Sequence, residues 1–351
     1  MLTLYIISAT VGLIHVLYIL TAILHPKDKY TGKISDEQDI YSVEHIVCFK
    51  NESKFIEKKL KNCYETDYSY HLHYTFVNDN STDDTLELLE KYRQRNTEII
   101  SNKKNLGKNR SQINAVKNKQ ADLILFTDAN VFLEKNALQN LIKYFDENTG
   151  GVCGNVIITT DMEHKTIHGK YWEIEKSIKE FQSIFGSVIG FDGGFYCVKK
   201  ECYNLKKDNE LSDFDTTFLL FRQGKRAGYA DDAVAVELEK RRIKDSFMAR
   251  MRASNRVFWS FRRIFRYIDN LKSITVIHFT LHKLARYLFI ITFVLSLPFI
   301  IMDLWRISSF LLLIFFIPYI YRFVIESVAL CIGGVIALTG KEYTTWYNNK
   351  I

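Results

Sequence analysis

Asp128 and Asn130 stand two residues apart at the end of the apolar run Leu123-Ile124-Leu125-Phe126, so one strand end presents two hard oxygen donors. Such donors suit a divalent cation that already carries phosphate oxygens, which makes a nucleoside diphosphate the expected ligand. Lys108 and Arg110 follow Gly107, where the first turn of a helix offers N–H groups and basic side chains to phosphate. A solvated basic turn is the other reading of Arg110. Asn51, Glu52 and Asp79 close two more apolar runs, where a carboxylate can accept from the N3 proton of a uracil or cap a helix. Asp213 follows the pair Gly193-Gly194 and precedes an apolar helix, so it can face an acceptor hydroxyl as a general base. Asp215 is the rival carboxylate and reads as a first-turn residue favoured by the helix dipole.

The strings that carry these residues alternate in kind. Ile46-Val47-Cys48-Phe49 and Thr75-Phe76-Val77 are strands running into polar turns and helix starts, with Ser81 or Thr82 as the second helix's cap and Asp83 and Asp84 in its first turn. Three strand-to-helix switches in about a hundred residues predict an α/β domain with a mostly parallel sheet and its site along the strand ends.

The ordered set Phe49-Lys50-Asn51-Glu52, Val77 to Thr85, Asn105 to Ala115 and Phe126 to Asn130 resembles the nucleotide half of family 2 glycosyltransferases. These have the GT-A fold, a Rossmann-like α/β domain, and include membrane-anchored bacterial polysaccharide and glycolipid synthases. Tyr171 to Lys176, Gly190 to Val198, Leu211 to Asp215 and Arg250 to Arg256 continue in that family's order, over residues 43–285. The resemblance implies inverting transfer from a UDP-sugar to a lipid-linked or polysaccharide acceptor, with one base, direct displacement at the sugar C1 and no enzyme nucleophile. It assigns Asn51, Glu52 and Asp79 to the uridine side, and Asp128 and Asn130 to Mg or Mn and the diphosphate. Asp192, Gly193 and Gly194 fall in the loop near sugar and acceptor, and Asp213 is the base. Three departures stand out: Asn130 where a second Asp is common, Ser212 in place of an acid before the base, and no Gln-x-x-Arg-Trp signature around Arg256. Arg252 and Arg256 share a helical face with Trp259 and Arg263, and meet either pyrophosphate or lipid headgroups.

The chain has 351 residues, 47% hydrophobic and 25% charged, but the apolar residues are unevenly spread. Leu2 to Leu24 carries no Asp, Glu, Lys or Arg and is long enough to cross a bilayer; without a basic leader or a clear small-x-small cleavage site it reads as an anchor rather than a signal peptide. A second apolar block, Tyr287 to Met302 and Ser308 to Leu338, holds two or three spans, with Arg322 and Glu326 either paired or marking a break. Lys27, Lys29 and Lys33 on one flank and Arg262 to Arg286 on the other place the intervening domain in the cytoplasm, at a bacterial inner membrane. The net charge of +7 gathers beside the membrane, which fits anionic headgroups and sugar-nucleotide phosphates, and no nucleic-acid motif occurs. Six cysteines without a CxxC pair fit a reduced compartment.

The expected organisation is an anchor (1–24), a linker (25–42), a GT-A domain (43–245, with nucleotide half 43–159 and acceptor half 160–245), basic interfacial helices (246–285), the carboxyl-terminal spans (286–340) and a tail (341–351). Within the enzyme reading, a processive synthase is the alternative to single addition, with an oligomer or export partner completing a channel. Asn130, Ser212 and the missing signature motivate a third reading, a non-catalytic subunit that binds nucleotide sugar or glycan.

Overall fold

The computed structural model describes residues 2–25, 41–68, 71–159, 167–238, 243–307 and 318–345. The expected linker falls almost wholly outside these residues, as do Lys27, Lys29, Lys33, the 308–317 stretch, the Arg322 side chain and the end of the tail. The chain forms two compact units, one from residues 1–25 and 240–343, the other from 26–239 and 344–351.

In the first unit, α1 (Leu2–Leu24) is grouped with the carboxyl-terminal helices. The second unit is an eight-stranded sheet flanked by α2 (Ser53–Tyr64), α3 (Thr85–Lys91), α4 (Lys108–Val116), α5 (Ala137–Ile142), α6 (Ile167–Phe185) and α7 (Phe214–Arg222). Its strands are β1 (Val43–Phe49), β2 (Leu72–Asn78), β3 (Thr97–Ser101), β4 (Leu123–Asp128), β5 (Val131–Leu133), β6 (Thr149–Thr159), β7 (Phe195–Lys199) and β8 (Arg226–Leu238). They lie in the order β3-β2-β1-β4-β7-β6-β8-β5.

Alternate residues of the central strands serve two cores. Val43, Val47 and Phe49 of β1 join Leu123 and Leu125 of β4 on one face, with Ile56, Leu60 and Cys63 of α2. Ile46, Cys48, Ile124 and Phe126 point to the other, against Val188, Tyr196 and Tyr229. A strand covered on both faces is buried along its whole length, as β1 is, with apolar side chains at Val43 and from Ile46 to Phe49 and the buried polar pair Glu44 and His45 between them.

The sheet is more mixed than expected. β3, β2, β1 and β4 are parallel neighbours, as are β6 and β8. β7 runs antiparallel to both β4 and β6, and β5 antiparallel to β8. The cause is the loop at 190–194: it lies at the carboxyl end of β4, so the strand it feeds runs back down the sheet. Its first residue, Phe195, pairs with Thr127.

The first unit also contains α8 (Ile243–Ile264), α9 (Ser273–His278), α10 (Ala285–Ile307) and α11 (Pro318–Leu338). α1 meets the carboxyl-terminal helices at Gly12, where an added Cβ would stand 3.0 Å from the Phe289 ring. Tyr5 Oη donates to Asp303 at 3.0 Å, and Tyr18 Oη lies 2.9 Å from His278 Nδ1. α9 continues through a π-helical turn at 279–284 into α10, so the expected interfacial helix and the first carboxyl-terminal span are one helix. No Gly or Pro interrupts residues 273–297 to separate them. Among the described residues, Leu2–Leu24 and Ser273–Ile307 are the two helices long and apolar enough to cross a membrane, and Phe323–Leu338 is a shorter apolar helix. Glu326 pairs with Arg250 Nε at 3.4 Å, tying α11 to α8. Gly333 lets those helices touch, since a Cβ there would strike the Met251 carbonyl.

Candidate active site

The parallel register brings the ends of β1, β2 and β4 level: Cys48 lies opposite both Val77 and Asp128. The loops beyond β1 and β2 are stitched to each other through two asparagines in the left-handed region, Asn51 and Asn80, both with φ 56°. Asn51 Oδ1 accepts from Thr82 N at 2.8 Å, and Asn51 N donates to Ser81 Oγ at 3.0 Å. Ser81 and Thr82 therefore bind the neighbouring loop, and Asp84 rather than either of them precedes α3.

Asp79 is wholly buried and turned toward the loop before α4. Its Oδ1 accepts from Asn102 Nδ2 at 2.9 Å and Leu106 N at 2.8 Å, and its Oδ2 from Gly107 N at 2.7 Å. This carboxylate holds the 102–107 loop and so sets where α4 begins. Gly107 has φ 84°, and a Cβ there would collide with the Thr344 carbonyl. Glu52 sits before α2 without a side-chain capping bond. Burial pushes its carboxyl up to about 7, Lys54 opposing and the Asp128 and Asp83 charges adding.

Four groups from four elements converge beyond these loops. Lys108, the first residue of α4, forms an ion pair with Asp128 at the end of β4 and donates to the Gly193 carbonyl at 3.0 Å. Asp213, the N-cap of α7, accepts from Phe214 N at 2.9 Å through Oδ1. Its Oδ2 rests against Gly193, where an added Cβ would stand 2.9 Å away. Burial raises the Asp213 carboxyl above the ordinary carboxylate range, with Lys108 opposing. Burial would lower the Lys108 ammonium, but Asp128 and Asp213 more than offset it and raise it. Asp215 is elsewhere: its Oδ2 accepts from Leu211 N at 2.6 Å and closes the turn before α7.

Asp192 is buried and paired with Lys179 of α6 at 3.2 Å, while its Oδ1 accepts from Gly194 N at 3.1 Å. It shapes the glycine turn from within. Gly194 O in turn accepts from Asp128 N at 3.3 Å. Asn130 is fastened to β8: its Nδ2 donates to Leu238 O at 3.0 Å and Glu237 Oε1 at 3.2 Å. Arg110 pairs with Asp208 at 2.6 Å. Arg252 and Arg256 lie on α8 in the other unit, where Arg256 Nε donates to Tyr343 O at 2.8 Å.

Beneath the Asp128 turn lies a lysine that sequence reasoning passed over. Lys59 of α2 is fully buried; it donates to Thr127 Oγ1 at 2.8 Å and to the Val131 carbonyl, bracketing residues 128–130. Burial lowers its pKa. The signal was present, since Lys59 occupies the apolar stripe of α2 between Ile56 and Cys63. Lys179 and Glu237 carried no comparable local signal.

The mixed sheet in this strand order, with parallel strand ends at the candidate site, has the GT-A fold. A mannosyltransferase from Pyrobaculum calidifontis, solved with GDP-Man and Mn2+, superposes with a TM-score of 0.74 over 97% of this chain and 99% of its own, at 19% identity. Residues 45–204 match the model of glycosyl transferase family 2. The chain is 30% identical over 163 residues to the poly-β-1,6-N-acetyl-D-glucosamine synthase of Staphylococcus aureus, and 24% identical over 170 residues to an N-acetylglucosaminyltransferase of Bradyrhizobium diazoefficiens. The matched region spans 38% and 35% of those relatives.

Proposed function

We propose that this protein is an inverting glycosyltransferase that moves a sugar from a UDP-sugar to a lipid-linked or polysaccharide acceptor at the cytoplasmic face of a bacterial membrane. The observation that carries the reading is the convergence of Lys108, Asp128, Gly193 and Asp213. One half-buried carboxylate with a raised pKa, beside a cation-lined strand end, supplies both needs of direct displacement. The relatives named for N-acetylglucosamine polymers and transfer support a hexose-type donor and a glycan acceptor. The two long apolar helices support membrane attachment.

In the reaction, the acceptor hydroxyl attacks the sugar C1 as the bond from C1 to the diphosphate oxygen breaks, and the electron pair leaves on the diphosphate. Asp213 takes the hydroxyl proton. Lys108 meets the charge that develops on the leaving group, helped by the start of α4. A glycine at 193 keeps the path between Asp213 and the sugar open.

The donor set fits Mg or Mn. Asp128 offers a carboxylate, and Asn130, whose amide nitrogen donates to β8, offers its amide oxygen as a second hard donor. Among the described residues no three His, Cys, Asp or Glu side chains gather around one point, so donor phosphates would complete the shell. When bound, a divalent cation stabilises charge on the departing diphosphate by several kcal/mol.

The test is UDP release by the purified full-length protein from a panel of UDP- and GDP-sugars, with and without membrane lipid extract. No release from any donor would return the binding-subunit reading. Product length then separates single addition from processive synthesis, which needs a second copy or an export partner to complete a channel. An impermeant thiol reagent applied to intact cells should miss a Lys207→Cys variant; labelling would overturn the orientation.

A further inference from the structure

We propose that Lys108 is a latch on the Asp128 carboxylate, so that the site takes its divalent cation together with a nucleoside diphosphate and only weakly without one. The inference rests on the donor-site reading above and adds the regulation of that site. Lys108 forms its ion pair with Asp128 through Oδ1, and among the described residues Asp128 is its one ion-pair partner. Its hydrogen bond to the Gly193 carbonyl at 3.0 Å goes to a neutral acceptor, which leaves the charge to Asp128. An ammonium and a divalent cation repel, and the single negative charge of one carboxylate cannot balance both. A diphosphate removes the conflict in two ways. It brings further anionic oxygens to the cation, and it gives the ammonium a second place to go, at the start of α4.

The exchange falls to the lysine side chain, because the backbone is pinned at both ends of the pair. On the aspartate side, Asp128 N donates to Gly194 O at 3.3 Å, and Lys59 beneath the turn donates to Thr127 Oγ1 at 2.8 Å and to the Val131 carbonyl. On the lysine side, Asp79 accepts from Leu106 N at 2.8 Å and Gly107 N at 2.7 Å, which fixes where α4 begins. What can move between these fixed ends is a flexible aliphatic stem carrying a point charge. Swung onto phosphate, it bares Oδ1 of Asp128 to the cation. Cation and diphosphate then strengthen each other's binding by the same factor, as linkage requires.

The experiment is Mn2+ titration of the detergent-solubilised full-length protein, followed by electron paramagnetic resonance with and without UDP and corrected with a protein-free UDP blank. In the wild type, UDP should tighten Mn2+ binding by about tenfold or more. Lys108→Gln keeps a donor for the Gly193 carbonyl and removes the charge. Mn2+ alone should then bind about tenfold tighter, with UDP adding correspondingly less, and Lys108→Met should behave alike. Arg110→Met removes a charge from the same turn of α4 that is paired with Asp208 instead, so it should leave the affinity for Mn2+ alone within about twofold. Binding of Mn2+ alone that is unchanged or weaker in the Lys108 variants overturns the proposal. So does an equal gain in Arg110→Met, because the effect would then be one of overall charge. A wild type that binds no Mn2+ even with UDP overturns the cation reading itself, an outcome read before any variant is compared.

Discussion

Asp213 and Gly193 touch: the Oδ2 of one occupies the space that a side chain on the other would need, 2.9 Å from the missing Cβ. Lys108 holds the same glycine from the opposite side through its carbonyl. The turn is thus clamped between the proposed base and the proposed phosphate ligand. Gly193→Ala must displace one of them. Turnover measured by UDP release should fall about 10²-fold with little change in melting temperature, as expected for a catalytic group moved by about 1 Å. Full activity in this variant would remove Asp213 from the chemistry.

Asp213→Asn keeps the helix cap and removes the base. It should lower kcat by about 10² to 10⁴ while calorimetry shows unchanged UDP affinity. Asp215→Asn should retain turnover and lose about 1–2 kcal/mol of stability, the cost of disturbing a buried hydrogen bond to Leu211 N. The opposite pattern would exchange the two roles.

Lys108→Met removes the charge that opposes burial at Asp213. Without it the Asp213 carboxyl rises further, so the acidic limb of the pH–rate profile should move to higher pH, and the KM for donor should increase. A limb that stays in place would show that Asp213 is not the group being titrated.

Glu52 gives a pH signature in stability. Its native pKa of about 7 lies above the usual value near 4.3, so between those values the native state keeps a proton that the unfolded chain has lost. Stability is therefore full below the lower value and falls as pH rises toward 7. Glu52→Gln should flatten that slope in melting curves taken from pH 5 to 8. An unchanged slope would mean that Glu52 ionises normally.

Asp79→Ala orphans three donors, from Asn102, Leu106 and Gly107, in a fully buried place. The expected loss is on the order of 3 kcal/mol or more, with weakened UDP binding as the start of α4 loosens. Lost UDP affinity at full stability would instead mean that Asp79 contacts the base directly.

The local strings of this chain carry their own structure. Ile46 to Phe49 and Leu123 to Phe126 are strands because each residue must be apolar to serve one of two cores, and the polar residues after them mark the strand ends. The helix beginning at Lys108 and the one beginning at Phe214 are legible for the same reason: caps, glycines and apolar spacing act within a few residues. The gathering of acidic and basic residues at those ends was legible too. Which charge each carboxylate faces was not. Asp128 meets Lys108, Asp192 meets Lys179, and Asp79 turns inward to backbone N–H groups, all choices made by packing. Glu237 reaches Asn130 across 107 residues only because β5 and β8 pair in one antiparallel register. A shift of one residue would carry its side chain to the other face of the sheet, and short-range propensity holds no information about that choice.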